Sequence, residues 1–490
     1  MAAGRFLPPN GTAQHLAPRR SSLILFAVLF LTGCGGGVTS VTPPPPPPGG
    51  NPAIGEPHQY TGGTIVLRQQ ATRAYFVAVN QVETTTLGSY SLAAVGTAAV
   101  TGRRPSVDAD VMGNEWRLVE TMNRVADRLP IPPRPWAAVI RPASVGSERS
   151  FWVCVSGGCR WADGGQAQIT ATLQAIGSRS LIYVDNRDLA TIPISRAELI
   201  RNVFDGEIWP RVTAVFGKPI NPYNPAPGDG PTIILFSRSV REYGYSGYFR
   251  AINLFSDSDA QRWGYRSNEA SMFYMAHDMI DRVIHGVNAH EFQHLINYSQ
   301  KRFVYGATTS ESTWINEGLS QIAMDIAGHG YQTNTQQRQA SQFFANADLV
   351  SFHNWGHADA PIGAYYGGAW LIFRYFADRF GNAALTNLVQ TALVGVPNVE
   401  RVTGEPIGRT LVYNGVAMLV STEGLGITDP RWTYQSLSLA TIGKISYGAI
   451  GAKTIRSLGF NFLAVSSEGQ PAINVTVTAG SSTPYVGLVR

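Results

Sequence analysis

Three cysteines, nine histidines and a charged fraction of only 14% leave this chain of 490 residues little of the material from which most sites are built. Three cysteines cannot make a multi-disulfide scaffold, so the fold must rest on apolar burial, for which 44% hydrophobic residues are ample. That length exceeds one ordinary core, and two or three domains are expected. Charge is sparse in both signs. The net is +5, of which Arg5, Arg19 and Arg20 in the first 33 residues supply three, leaving +2 for the rest. No dense basic run or aromatic-basic stripe accompanies it, which excludes a nucleic-acid footprint. An apolar run of nine residues, Leu23 to Leu31, is too short to span a bilayer as a mature helix.

What histidine there is lies concentrated. Seven of the nine fall between 277 and 357, and two of them stand in Asn288-Ala289-His290-Glu291-Phe292-Gln293-His294, an H-E-x-x-H pattern. Residues four apart share a helix face, so His290 and His294 can offer two imidazoles to one ion, with Glu291 beside it. A lone buried histidine would carry no such weight. A catalytic zinc takes three protein ligands and keeps one position for water, so a third ligand is needed. Glu317 in Thr313-Trp314-Ile315-Asn316-Glu317-Gly318 is the choice. It sits on a second expected helix, opened by a capping cluster at Ser310, Ser312 and Thr313 and carrying apolar Ile315, Leu319, Ile322 and Ile326.

These two segments, His-Glu-Phe-Gln-His-Leu-Ile-Asn-Tyr and Thr-Trp-Ile-Asn-Glu-Gly-Leu-Ser, resemble the hyicolysin family of bacterial zinc metallopeptidases, within the gluzincin group that includes thermolysin and aminopeptidase N. The likeness extends over roughly residues 180 to 385, through Ser267-Asn268-Glu269-Ala270 and Tyr365-Tyr366-Gly367-Gly368. It implies zinc held by His290, His294 and Glu317, with Glu291 as the general base of peptide hydrolysis. The interval of 23 residues from His294 to Glu317 is longer than in thermolysin or aminopeptidase N. The Tyr-Tyr-Gly-Gly stretch resembles the segment that supplies an oxyanion-stabilising phenol in aminopeptidase-type enzymes, making Tyr365 or Tyr366 a candidate donor. Asp325, eight residues past Glu317, is a candidate acceptor for a ligand histidine, or else an exposed helix carboxylate.

The amino-terminal segment, ending Leu31-Thr32-Gly33-Cys34, reads as a secretory leader over 1–33, and its close resembles the lipobox of bacterial lipoproteins. That implies lipid on Cys34, a membrane-anchored, exported protein, and a tether over 34–56 whose run of six prolines, Pro43 to Pro48, makes a stiff spacer of roughly 19 Å at about 3.1 Å per residue. In an exported chain Cys154 and Cys159, flanking Val155-Ser156-Gly157-Gly158, are expected to form a hairpin disulfide.

The pattern along the chain predicts an α+β fold. A β unit spans 57–110 and a connector with a hairpin 111–164. A metallopeptidase domain spans 165–432, with a mixed sheet, an edge strand at Ser271–Met275, a helical lobe and, by the resemblance, a thermolysin-like arrangement. A strand-rich tail over 433–490 is too small for a core of its own, and it is expected to pair with the N-terminal unit as one β-sandwich. The function expected is zinc endopeptidase. Its alternatives are an aminopeptidase, with Glu269 as the carboxylate for the substrate amine, and a surface-binding lipoprotein whose peptidase fold is vestigial. Protein or peptide substrate and a membrane are the expected partners, and nucleic acid is not.

Overall fold

A computed structural model describes residues 55–59, 63–68, 73–95, 98–100, 115–131, 144–220, 222, 230–331, 335–356, 360–467 and 472–489. The expected leader, Cys34 and the proline run lie outside them. Six strands make one mixed sheet, in the order Gly247–Phe249, Met272–Met275, Thr232–Phe236, Ser180–Asp185, Gln166–Ile176 and Glu148–Cys154. The strand at 232–236 pairs in parallel with both its neighbours, and the outer pairings are antiparallel. Its sequence, Thr-Ile-Ile-Leu-Phe, is buried at every position, the signature of a strand covered on both faces.

Two assignments move. The edge strand is Gly247–Phe249 rather than Ser271–Met275, whose strand lies second in the sheet. Three residues, Gly-Tyr-Phe, are too few for any periodicity to announce a strand. The hairpin strand Glu148–Cys154, expected in a connector, pairs residue by residue with Gln166–Thr172 and closes the far edge of the sheet. Cys154 and Cys159 are disulfide-bonded across its turn.

Helices cover the sheet and extend beyond it. The segment from Ile194 to Phe216 is helical throughout, with a π turn at Phe204–Ile208 ahead of Pro210, which has no N–H to give to the regular ladder. A first site helix, Asp281–Ser299, packs on a second, Thr313–Ala327, which in turn packs on the apolar helix Ile362–Phe380. Gly318 makes the last approach feasible, because a Cβ there would meet the Phe373 ring at 2.2 Å. Among the described residues no helix is long and apolar enough to cross a membrane.

Both chain ends build two further antiparallel sheets. One is ordered His58–Gln59, Tyr485–Val489, Arg73–Val79, Phe460–Ser466, Ala98–Val100, and the other Gly451–Ile455, Gly88–Val95, Ala472–Ala479, Gly63–Arg68. Strands from before residue 101 and after residue 450 alternate, so neither end could fold as a sheet alone. Alternation along Arg73–Val79 explains how the unit is held: Ala74, Phe76 and Ala78 enter a core with Leu463, Val475 and Leu488, while Tyr75, Val77 and Val79 join the main core. Phe460 meets Phe343 and Phe352 edge-on at 5.9 and 6.2 Å, so aromatic packing joins these sheets to the helical lobe.

Candidate metal centre

The two site helices bring three ligand atoms together. His290 and His294, one turn apart, present their Nε2 atoms 3.1 Å from each other. Glu317 Oε2 lies 3.2 Å from the first and 3.4 Å from the second. Each atom can offer a lone pair, and no more than 2% of any of the three side chains is exposed. Lone pairs packed together away from water repel unless a cation lies among them. Nitrogen and oxygen ligands about 2.0–2.1 Å from a tetrahedral ion stand about 3.3–3.5 Å apart, so the separations suit one small ion. The buried triad His290, His294 and Glu317 is the one cluster of its kind among the described residues that could hold a metal ion.

Electrostatics follow from the same closeness. Burial pushes the Glu317 carboxyl up, yet His294 and His290 outweigh it and hold the group down at about 2. For His290 burial wins and lowers the imidazole, with Glu317 opposing. A ring kept neutral and a carboxyl kept ionised are the states that ligate a metal. Glu291 is driven the other way. Burial raises its carboxyl well above the ordinary range, and the charges of Glu115 and Glu317 add to the rise.

The first site helix carries Asp281 in its first turn, held by Arg196 at 2.7 Å, which suits the positive end of the helix dipole. The second begins at Ser312, but the expected capping cluster is not used as such. Ser312 is in extended geometry without a side-chain cap, and the Ser310 hydroxyl donates to Asp127 at 2.9 Å. What fixes this turn instead is a buried ion pair. Lys301 Nζ lies 2.9 Å from Glu311 Oε2, while Glu311 Oε1 accepts from the Ser312 and Gly395 amides at 2.8 and 2.6 Å. Asn297 then donates to Asn316 at 2.8 Å, next to Glu317.

Of the remaining candidates, Tyr366 and Tyr365 are both fully buried, and the Tyr366 ring is tilted against that of His290, 6.2 Å away. Tyr365 lies against Trp355 at 5.4 Å. Asp325 is neither an exposed carboxylate nor a partner of a ligand histidine: its two oxygens accept from Trp370 Nε1 at 2.6 Å and the Tyr331 amide at 2.7 Å. Eight residues place it two turns beyond Glu317, where the neighbour is the apolar helix and not the imidazoles. Glu269 is exposed, with positive φ, and accepts from the Asp257 amide at 2.9 Å. Its neighbour Asn268 braces Trp152 from both sides, accepting its N–H at 2.7 Å and donating to its carbonyl at 2.9 Å.

Sequence reasoning missed four contributors. Gly247 of the edge strand lies against Glu291, and Ser320 hydrogen-bonds His294 Nδ1 at 3.0 Å. Glu115 and Trp116 come from the helix Glu115–Ala126, which packs along the edge strand and the second site helix. A cleft of about 250 Å³ opens between Trp116, Glu120, Asn123 and Arg124 on that helix and the segment from Thr309 to Glu317. Only the spacing of Ser320, one turn past Glu317, could have been noticed beforehand. Compared with known proteins, the chain matches no family model and no curated sequence.

Proposed function

We propose that this chain is a zinc-dependent peptidase, most simply an endopeptidase, of the gluzincin kind that its two motifs resemble. One observation carries the reading: a carboxylate with a raised affinity for protons, Glu291, is set on the same helix turn as two of three converging ligand atoms. His290, His294 and Glu317 would hold the ion. Zinc, when bound, acidifies a coordinated water and polarises a carbonyl. Glu291 would do the proton work, its carboxylate accepting a proton as water adds to the peptide carbonyl and passing it to the amine that departs when the C–N bond breaks. Tyr366, beside His290, is the better placed of the two tyrosines to donate to the developing oxyanion. Among the described residues the edge strand Gly247–Phe249 has one side without a strand partner, where an extended substrate could add its backbone, and the cleft beside Trp116 reaches Glu317.

The aminopeptidase alternative asked Glu269 to hold the substrate amine, but the acids whose charges bear on Glu291 are Glu115 and Glu317. Peptides with free and blocked amino ends separate exopeptidase from endopeptidase. The direct test is casein hydrolysis, with and without chelator, by the purified wild type, Glu291→Gln and His294→Ala. Glu291→Gln is expected to keep zinc and lose hydrolysis, and His294→Ala to lose both. Undiminished hydrolysis by Glu291→Gln removes the assignment. Export and a lipid on Cys34 belong to the same proposal, and metabolic labelling with a radioactive fatty acid tests them, with Cys34→Ala as the control.

A further inference from the structure

We infer that Ser320, oriented by Gln293, is a positioning residue that sets the tautomer of the ligand His294, an inference that rests on the metal-site reading above. The argument is an accounting of one proton. Ser320 Oγ lies 2.6 Å from Gln293 Oε1 and 3.0 Å from His294 Nδ1, with all three side chains buried. A hydroxyl has a single hydrogen to give, and an amide oxygen can only accept. The Ser320 hydrogen therefore goes to Gln293, and the oxygen is left as an acceptor toward the ring. The proton between Ser320 and His294 then belongs to Nδ1. A neutral imidazole protonated on Nδ1 has its lone pair on Nε2, which is the atom turned toward Glu317 and His290.

The sequence spacing explains why two helices can do this. Gln293 precedes its ligand by one residue and Ser320 follows Glu317 by one turn, so the relay bridges the helices at the level of the metal. His290 Nδ1 has no such partner among the described residues, so the device acts on one imidazole of the pair. Without an acceptor at 293, the Ser320 hydroxyl is free to donate to Nδ1 instead, which moves the imidazole proton to Nε2 and sets it against the metal.

The test compares the full chain as wild type, Ser320→Ala, Gln293→Met and Gln293→Glu by zinc competition against a chromophoric chelator, together with ¹⁵N-histidine NMR of the same four proteins, zinc-free and carrying Glu317→Ala so that no carboxylate draws the His294 proton to Nε2. Ser320→Ala and Gln293→Met are expected to weaken zinc binding about 10- to 100-fold, the usual cost of removing a partner of a ligand histidine. Gln293→Glu, which can only accept, should keep wild-type affinity. That rescue is a result that a mere packing role for residue 293 does not give. The spectrum with Ser320 and Gln293 intact should show His294 protonated on Nδ1, and Gln293→Met should shift the population toward Nε2. Equal zinc affinity in all four proteins, or an Nε2-protonated His294 with Ser320 and Gln293 intact, overturns the relay. A wild type that takes up no zinc sinks the peptidase reading, and the NMR tautomer still decides the relay.

Discussion

Gly247 on the edge strand and Glu291 on the first site helix are packed so closely that a Cβ on the glycine would lie 3.0 Å from Glu291 Cγ and 3.1 Å from Oε1. The same Cβ would lie 2.8 Å from Val287, one turn back on that helix, so the added carbon is crowded by both side chains at once. Gly247→Ala should therefore displace the carboxylate while leaving the metal ligands in place. A shift near 1 Å in a reacting group costs about 10²-fold in rate. The expected outcome is zinc content unchanged and kcat down by about that factor. Normal kcat in the variant would show that Glu291 has room to spare.

Metal removal should be visible as lost stability, because the folded chain presents an assembled site and the unfolded chain does not. A ligand present at a thousand times its dissociation constant stabilises by about 4 kcal/mol. Chelator should lower the melting temperature of the wild type and have no effect on Glu317→Gln, whose neutral amide no longer completes the triad. A chelator effect of equal size in both proteins would place the ion elsewhere.

How much of this could be read beforehand depended on whether the cause was local. The ligand triad is two short motifs on two helices, and helix periodicity puts His290 over His294 whatever the rest of the fold does. The run from Ala74 to Val79 is apolar at every position, so it could be read as a strand of the β unit, but neither its division between two cores nor the strands beside it could be. The edge strand Gly247–Phe249 left no trace, since three residues have no period. Glu115 and Trp116 reach the centre from more than 170 positions away, a contact that only tertiary packing creates. Asp325 shows the opposite error, in which a correct helix was given the wrong neighbour. The spacing fixed its face only to within a turn, and Trp370 claims that face.

The buried pair Lys301 and Glu311 holds the turn from which Glu317 projects. Burial pulls the lysine down, and Glu311 opposes that pull. Two backbone carbonyls, Leu388 and Leu393, also accept from its ammonium at 2.8 and 2.7 Å. Removing one partner of such a pair leaves an uncompensated charge and costs about 3–5 kcal/mol. Glu311→Gln should destabilise the chain by that amount in urea unfolding of the zinc-free protein. A loss below about 1 kcal/mol, the range of an exposed pair, would show that water reaches the site.

Asp325 gives a pH dependence with a definite sign. Burial raises its carboxyl from 3.8 to about 6, and the bonds from Trp370 and Tyr331 only partly offset the rise. A group whose folded value lies above its unfolded one favours folding while protonated. Its contribution is complete below pH 4 and is lost as the pH climbs through about 6. A rise of this size corresponds to about 3 kcal/mol. Asp325→Asn, which cannot ionise, should lack this dependence, so the stability of the wild type relative to the variant should fall between pH 4 and pH 7 and then level off. Zinc-free protein isolates the effect from ligand protonation. Parallel pH profiles for the two proteins would mean that Asp325 stays ionised in its pocket, with the indole and amide donors outweighing its burial.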